Sequence, residues 1–134
     1  NASYLYPSFK AGWIPDTPTN RNEILRRLNN WNAICDSDPT RGVTEAITRY
    51  TDNKKRIAIW IMGDDLANNL YDDPVEAIRR VALKFNKIDD NGVPFIRIHG
   101  MAFPNNATFY PVEFQNMLRV LASENYGAVV VESY

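Results

Sequence analysis

A single cysteine, Cys35, stands among the 134 residues, which excludes an intrachain disulfide and any zinc site built from several thiolates. It leaves the compartment open, because exported proteins can also lack disulfides. Histidine is as scarce: His99 is the only one. No serine or cysteine is placed to be its nucleophilic partner, so a structural role at a strand end is expected of it. No apolar run approaches the roughly 20 residues that a membrane span requires, and no signal-peptide pattern opens the chain. An excess of one charge is also missing, with 15 Lys and Arg against 16 Asp and Glu for a formal net charge of -1. Neutralising a phosphate backbone needs a concentrated basic surface, so nucleic acid is not an expected partner.

Hydrophobic residues at 45% and charged residues at 23% are ordinary values for a folded protein, and this length can bury a real core. One domain over residues 1–134 is expected, without internal repeat, low-complexity tract or linker. The opening Asn1-Ala2 reads as a remnant of tag removal, which would make the chain a piece of a longer protein.

Tyr4 to Phe9 alternates and is rich in aromatics, as in a short strand, with Pro7 marking an edge position. Asn20, with Glu23 three residues on, has capping-box spacing. Behind it Ile24, Leu25, Leu28 and Trp31 share one helical face. A second, short helix carries Val43, Ala46, Ile47 and Tyr50 inward. Ile57 to Met62 is a continuous apolar run, expected to be a strand buried on both faces, as in a parallel sheet. Asp73-Pro74-Val75-Glu76 opens a helix with a cap, Pro at the first position and Glu at the third, and Val75, Ile78, Ala82, Phe85 and Ile88 supply its stripe. Val93 to Met101 is the next strand. Pro111 opens the last helix with Phe114, Met117, Leu118 and Leu121 inward, Gly127 is its expected C-cap, and Ala128 to Val131 closes as a strand. Strands alternating with helices imply a mostly parallel sheet flanked by helices, a three-layer α/β sandwich.

Asp38-Pro39-Thr40-Arg41-Gly42-Val43-Thr44, Ile59-Trp60-Ile61-Met62-Gly63-Asp64-Asp65 and Phe95-Ile96-Arg97-Ile98-His99-Gly100-Met101 occur in an order that resembles a von Willebrand factor A-type domain. In that family a threonine loop opens a helix, a strand then ends near an Asp, and a further strand, helix and strand follow. The Asp-x-Ser-x-Ser metal motif of the family's first strand has no counterpart here. The resemblance implies a non-catalytic, adhesion-type interaction module, Rossmann-like in layering, that meets a protein partner at the C-terminal rim of its sheet, through loops 36–42, 63–72 and 100–110. It also implies an incomplete metal site at Thr40, Asp64 and Asp65. Carboxylate oxygens of this kind suit Mg²⁺ or Ca²⁺, which want about six oxygen ligands. The unusually aromatic N-terminal stretch, Tyr4, Tyr6, Phe9 and Trp13, is a candidate for self-association into a homo-oligomer.

An enzymatic alternative starts from Asp36-Ser37-Asp38-Pro39-Thr40, which matches the Asp-x-Asp-x-Thr nucleophile motif of haloacid dehalogenase-like phosphatases. There the first Asp would attack phosphorus, the second would handle the leaving-group proton, and Asp64 would hold magnesium. That chemistry needs Asp36 at the end of an apolar strand. The preceding Asn29 to Cys35 reads instead as a helix tail followed by a turn-forming cluster.

Overall fold

The computed structural model describes residues 4–10, 12–32, 38–52, 54–66, 73–103 and 111–132. Among the described residues it has an α/β architecture of three parallel strands and four α-helices, in keeping with a small α/β sandwich. The chain divides into two compact units, residues 1–35 and residues 36–134.

The first unit contains a one-turn 3-10 helix, Pro7–Phe9, and helix α1, Pro18–Asn29. The expected strand at Tyr4–Phe9 is therefore replaced by a tight turn. Pro7 sits at its start, Lys10 N–H donates to the Pro7 carbonyl, and Tyr6 meets Phe9 edge-on at 4.9 Å. Helix α1 begins before the expected Asn20 cap, because Pro18 is pre-set for the first helical position and the Thr17 hydroxyl accepts from Asn20 N–H at 3.2 Å. Arg26 and Arg27 both bind Glu23 at 2.6–2.7 Å, and together they hold its carboxyl down to about 2. None of the residues of α1 is buried, and Leu25, Leu28 and Trp31 are all more than half exposed.

The second unit runs α2 (Pro39–Tyr50), β1 (Ile57–Gly63), α3 (Pro74–Phe85), β2 (Ile96–Ala102), α4 (Pro111–Glu124) and β3 (Val129–Val131). Asp38 and Asp73 cap α2 and α3 by accepting from Arg41 N–H at 3.0 Å and Glu76 N–H at 2.9 Å. Each satisfies a donor that the first helical turn leaves unpaired. The strand order is β1-β2-β3 with both pairings parallel. Right-handed crossovers along a sheet that advances in one direction put both crossover helices on the same face. One hydrophobic cluster bears this out: Val43 and Ile47 of α2, Ile78 and Ala82 of α3, and Phe114, Met117, Leu118 and Leu121 of α4 pack with Ile61, Ile96, Ile98 and Ala102 of the sheet.

Two glycines set how closely the layers approach. A Cβ on Gly100 would lie 2.8 Å from Leu118 Cβ, so its bareness lets α4 settle onto β2. A Cβ on Gly127 would lie 1.7 Å from the Ile98 carbonyl oxygen, so only glycine lets the chain entering β3 pass beside β2. The C-terminal turn of α4 differs from the expected Gly127 cap for this reason. Tyr126 takes the left-handed conformation with φ 54, while Gly127 N–H donates to the Ala122 carbonyl at 2.8 Å, as in a Schellman turn.

A polar bridge ties the two crossovers at this same, C-terminal end of the helices. The Asn86 side chain accepts from Ile96 N–H at 2.9 Å and donates to the Ile96 carbonyl at 2.8 Å, standing in for a neighbouring strand. It also donates to the Asn125 side-chain oxygen at 3.0 Å, and Asn125 donates to the Leu121 carbonyl at 2.9 Å.

Candidate functional site

Two surfaces of the second unit are candidates: the rim beyond the carboxyl ends of the strands, and the face of the sheet turned away from the helices. Helix α2 joins β1 through a short turn and packs against it, so the N-terminus of α2 lies at the same end of the sheet as Asp64 and Asp65. In an open α/β sheet this end is where ligands usually bind. Thr40, in the first turn of α2, is only 2% exposed. The Asp38 carboxylate is engaged as the α2 cap, and that of Asp65 accepts from Leu66 N–H at 2.8 Å.

Among the described residues no three His, Cys, Asp or Glu side chains group to hold a metal ion. Two carboxylates and one buried hydroxyl are too few donors for Mg²⁺ or Ca²⁺, so the described residues do not by themselves make up a complete cation site. The phosphohydrolase arrangement fares no better. Asp36 lies outside the described residues, and upstream of Asp38 the described chain contains only the 3-10 helix and α1, with no strand to carry a nucleophile. Most of the rim loops 63–72 and 100–110 also lie outside the described residues.

The opposite face is well defined. Alternation along the strands turns Ile57, Ile59 and Ile61 toward the helices, and Ala58, Trp60 and Met62 away from them. The register extends this second row across the sheet: Ala58 pairs with Arg97, Trp60 with His99, and Met62 with Met101, which in turn pairs with Val130. Trp60, Met62 and Val130 are 50%, 61% and 53% exposed. The apolar run of β1 is therefore buried on one face only, against the expectation of two, because all three helices of this unit join the single cluster on the other side.

The centre of this open face is fixed in position. The Trp60 and His99 rings stack with centroids 4.5 Å apart and planes 15° apart. His99 Nδ1 accepts from Ala128 N–H at 3.2 Å, which sets the ring's rotation and leaves the proton of a neutral imidazole on Nε2. His99 thus serves a structural purpose, though in mid-strand. The charges on the face sit at its ends: Arg97 near the amino ends of the strands, and Glu132 just past β3, where its N–H still donates to the Ala102 carbonyl at 3.0 Å. Neither side chain has an ion-pair partner among the described residues. Arg56, beside Arg97 at the amino end, pairs with Asp89. The Asp89 carboxyl is held below its usual range, first by Val93 N–H and then by Arg56.

A groove of about 610 Å³ runs between the C-terminal halves of α3 and α4, beside Leu83, Ile88 and Tyr126. Arg79 and Glu124 pair across it, and the amides of Asn86 and Asn125 are already engaged. Sequence reasoning did not find this groove or the open face. The Trp60 and Met62 positions carried a signal for the latter, since both lie on one parity of β1, but the side on which the helices pack cannot be read from parity alone.

With the fold and both surfaces in view, comparison with known proteins finds no matching family, no similar curated protein and no similar solved structure. No helix among the described residues is long and apolar enough to cross a membrane.

Proposed function

We propose that this chain is a non-catalytic protein-interaction module, arranged in the order of a von Willebrand A-type domain with an incomplete metal site, and that it docks through the open face of its parallel sheet. The observation that carries the reading is the contiguous row Trp60, Met62, Met101 and Val130, of which Trp60, Met62 and Val130 are each at least half exposed. Parallel sheets are ordinarily covered on both faces, and contiguous exposed apolar patches mark interaction surfaces. Trp60 has the character of a binding anchor, a large ring held rigid by its stack on His99, so little side-chain freedom is lost on docking. The sequence of parallel strands and helices from Pro39 to Val131 supports the family resemblance.

Trp60→Glu tests the reading. At a concentration dilute enough for the chain to be monomeric, a docking residue on an exposed face leaves the melting temperature within a few degrees of wild type. A large drop would mean that Trp60 packs within the chain as core, and the docking reading would fail.

A further inference from the structure

We infer that the partner of the open sheet face is a second copy of this chain, docked face to face about a two-fold axis that lies across the strands, so that the two sets of strands run antiparallel. This rests on the docking reading above and adds the identity and orientation of the occupant.

The argument comes from the distribution of charge around the apolar row. Around the amino ends of the strands basic residues outnumber acidic ones: Lys54, Lys55, Arg56, Lys87 and Arg97 stand against Asp52, Asp89 and Asp90. Arg56 is paired to Asp89, and Arg97, the second residue of β2, is on the open face itself. At the carboxyl ends the sheet is acidic, with Asp64 and Asp65 following β1 and Glu132 following β3. Between them lies the uncharged band of Trp60, Met62, Met101 and Val130, with the Trp60–His99 stack at its centre. A surface that is positive at one end, apolar in the middle and negative at the other complements itself when turned end for end.

Two-fold interfaces use one patch twice, so every favourable contact is duplicated. Antiparallel docking brings Arg97 of each copy toward the Glu132 end of the other, and both charges lack ion-pair partners within the described chain. Parallel docking would set basic end on basic end and acidic end on acidic end, which like-charge repulsion disfavours. The apolar band is then covered on its second side by sheet-on-sheet packing, with the layers about 10 Å apart.

Sedimentation velocity on the whole chain, from micromolar to millimolar concentration, tests the inference. A concentration-dependent monomer–dimer equilibrium is expected, and Trp60→Glu should hold the chain monomeric. Arg97→Glu and Glu132→Arg should each weaken association, on the order of tenfold at low salt, since each disturbs two contacts per dimer. The double variant Arg97→Glu/Glu132→Arg should recover it, because the reversed charges again meet. Wild type that stays monomeric throughout overturns the second copy as occupant. If its Trp60→Glu variant also keeps the wild-type melting temperature, the docking reading of the exposed face stands and only the self-association is lost. A dimer indifferent to Trp60→Glu, or a double variant that does not recover, overturns the face or the orientation respectively.

Discussion

The two faces of one sheet are made from similar side chains and have opposite surroundings. Ile57, Ile59 and Ile61 look toward the helices, whereas Ala58, Trp60 and Met62 alternate with them in the same strand and look outward. The inner face is completed by glycines, with Gly100 bare beneath Leu118 and Gly63 beneath the Phe114 ring, where a Cβ would stand 3.2 Å from the ring edge. The outer face has no such accommodation. It carries bulky residues instead, a stacked indole and imidazole among them. Strand composition thus reports how apolar both sides are, while the hand of the crossovers decides which side the helices reach.

The sharpest way to break the contrast is Gly127→Ala. A methyl group there meets the Ile98 carbonyl oxygen at an impossible distance, so loss of a cooperative thermal transition is expected, read by circular dichroism. A variant that melts close to wild type would mean that β3 need not pass so near β2. Phe114→Ala comes next, removing a ring that is 1% exposed. It should cost about 3–5 kcal/mol in urea unfolding, and a cost below about 1 kcal/mol would show that the helical face is loosely packed. Met62→Ala on the outer face should change stability by no more than about 0.5 kcal/mol at dilute concentration. A cost matching that of Phe114→Ala would erase the distinction between the faces.

Much of this fold was legible because its signals are local. Asp73-Pro74-Val75-Glu76 specifies a capped helix start within four residues, and the inward stripes of α2 and α4 follow from 3.6-residue periodicity alone. The failures have equally definite causes. Tyr4–Phe9 alternates like a strand, yet Pro7 favours the first position of a helical turn over an unpaired edge. Gly127 looked like a helix cap because glycine usually serves there, whereas its bareness is needed for a contact with a strand almost thirty residues earlier. Ile88 continues the stripe of α3 in sequence, but the helix stops at Phe85, and Ile88 lies in a bridge to Pro94, two-thirds exposed. At the rim, Thr40 was expected in the loop 36–42 ahead of the helix, whereas Pro39 starts α2 earlier and Thr40 lies buried in its first turn, which residue spacing could not say.

The Asn86 amide has a consequence for how the molecule comes apart. It is bonded at once to the first residue of β2 and to the turn that ends α4. Opening either crossover strips hydrogen bonds from the other and leaves a partly buried amide without its full set of partners. The β1-α3-β2 and β2-α4-β3 segments are thereby joined into one foldon. Hydrogen exchange should find their slowest amides opening together, in a single event, rather than one segment fraying ahead of the next.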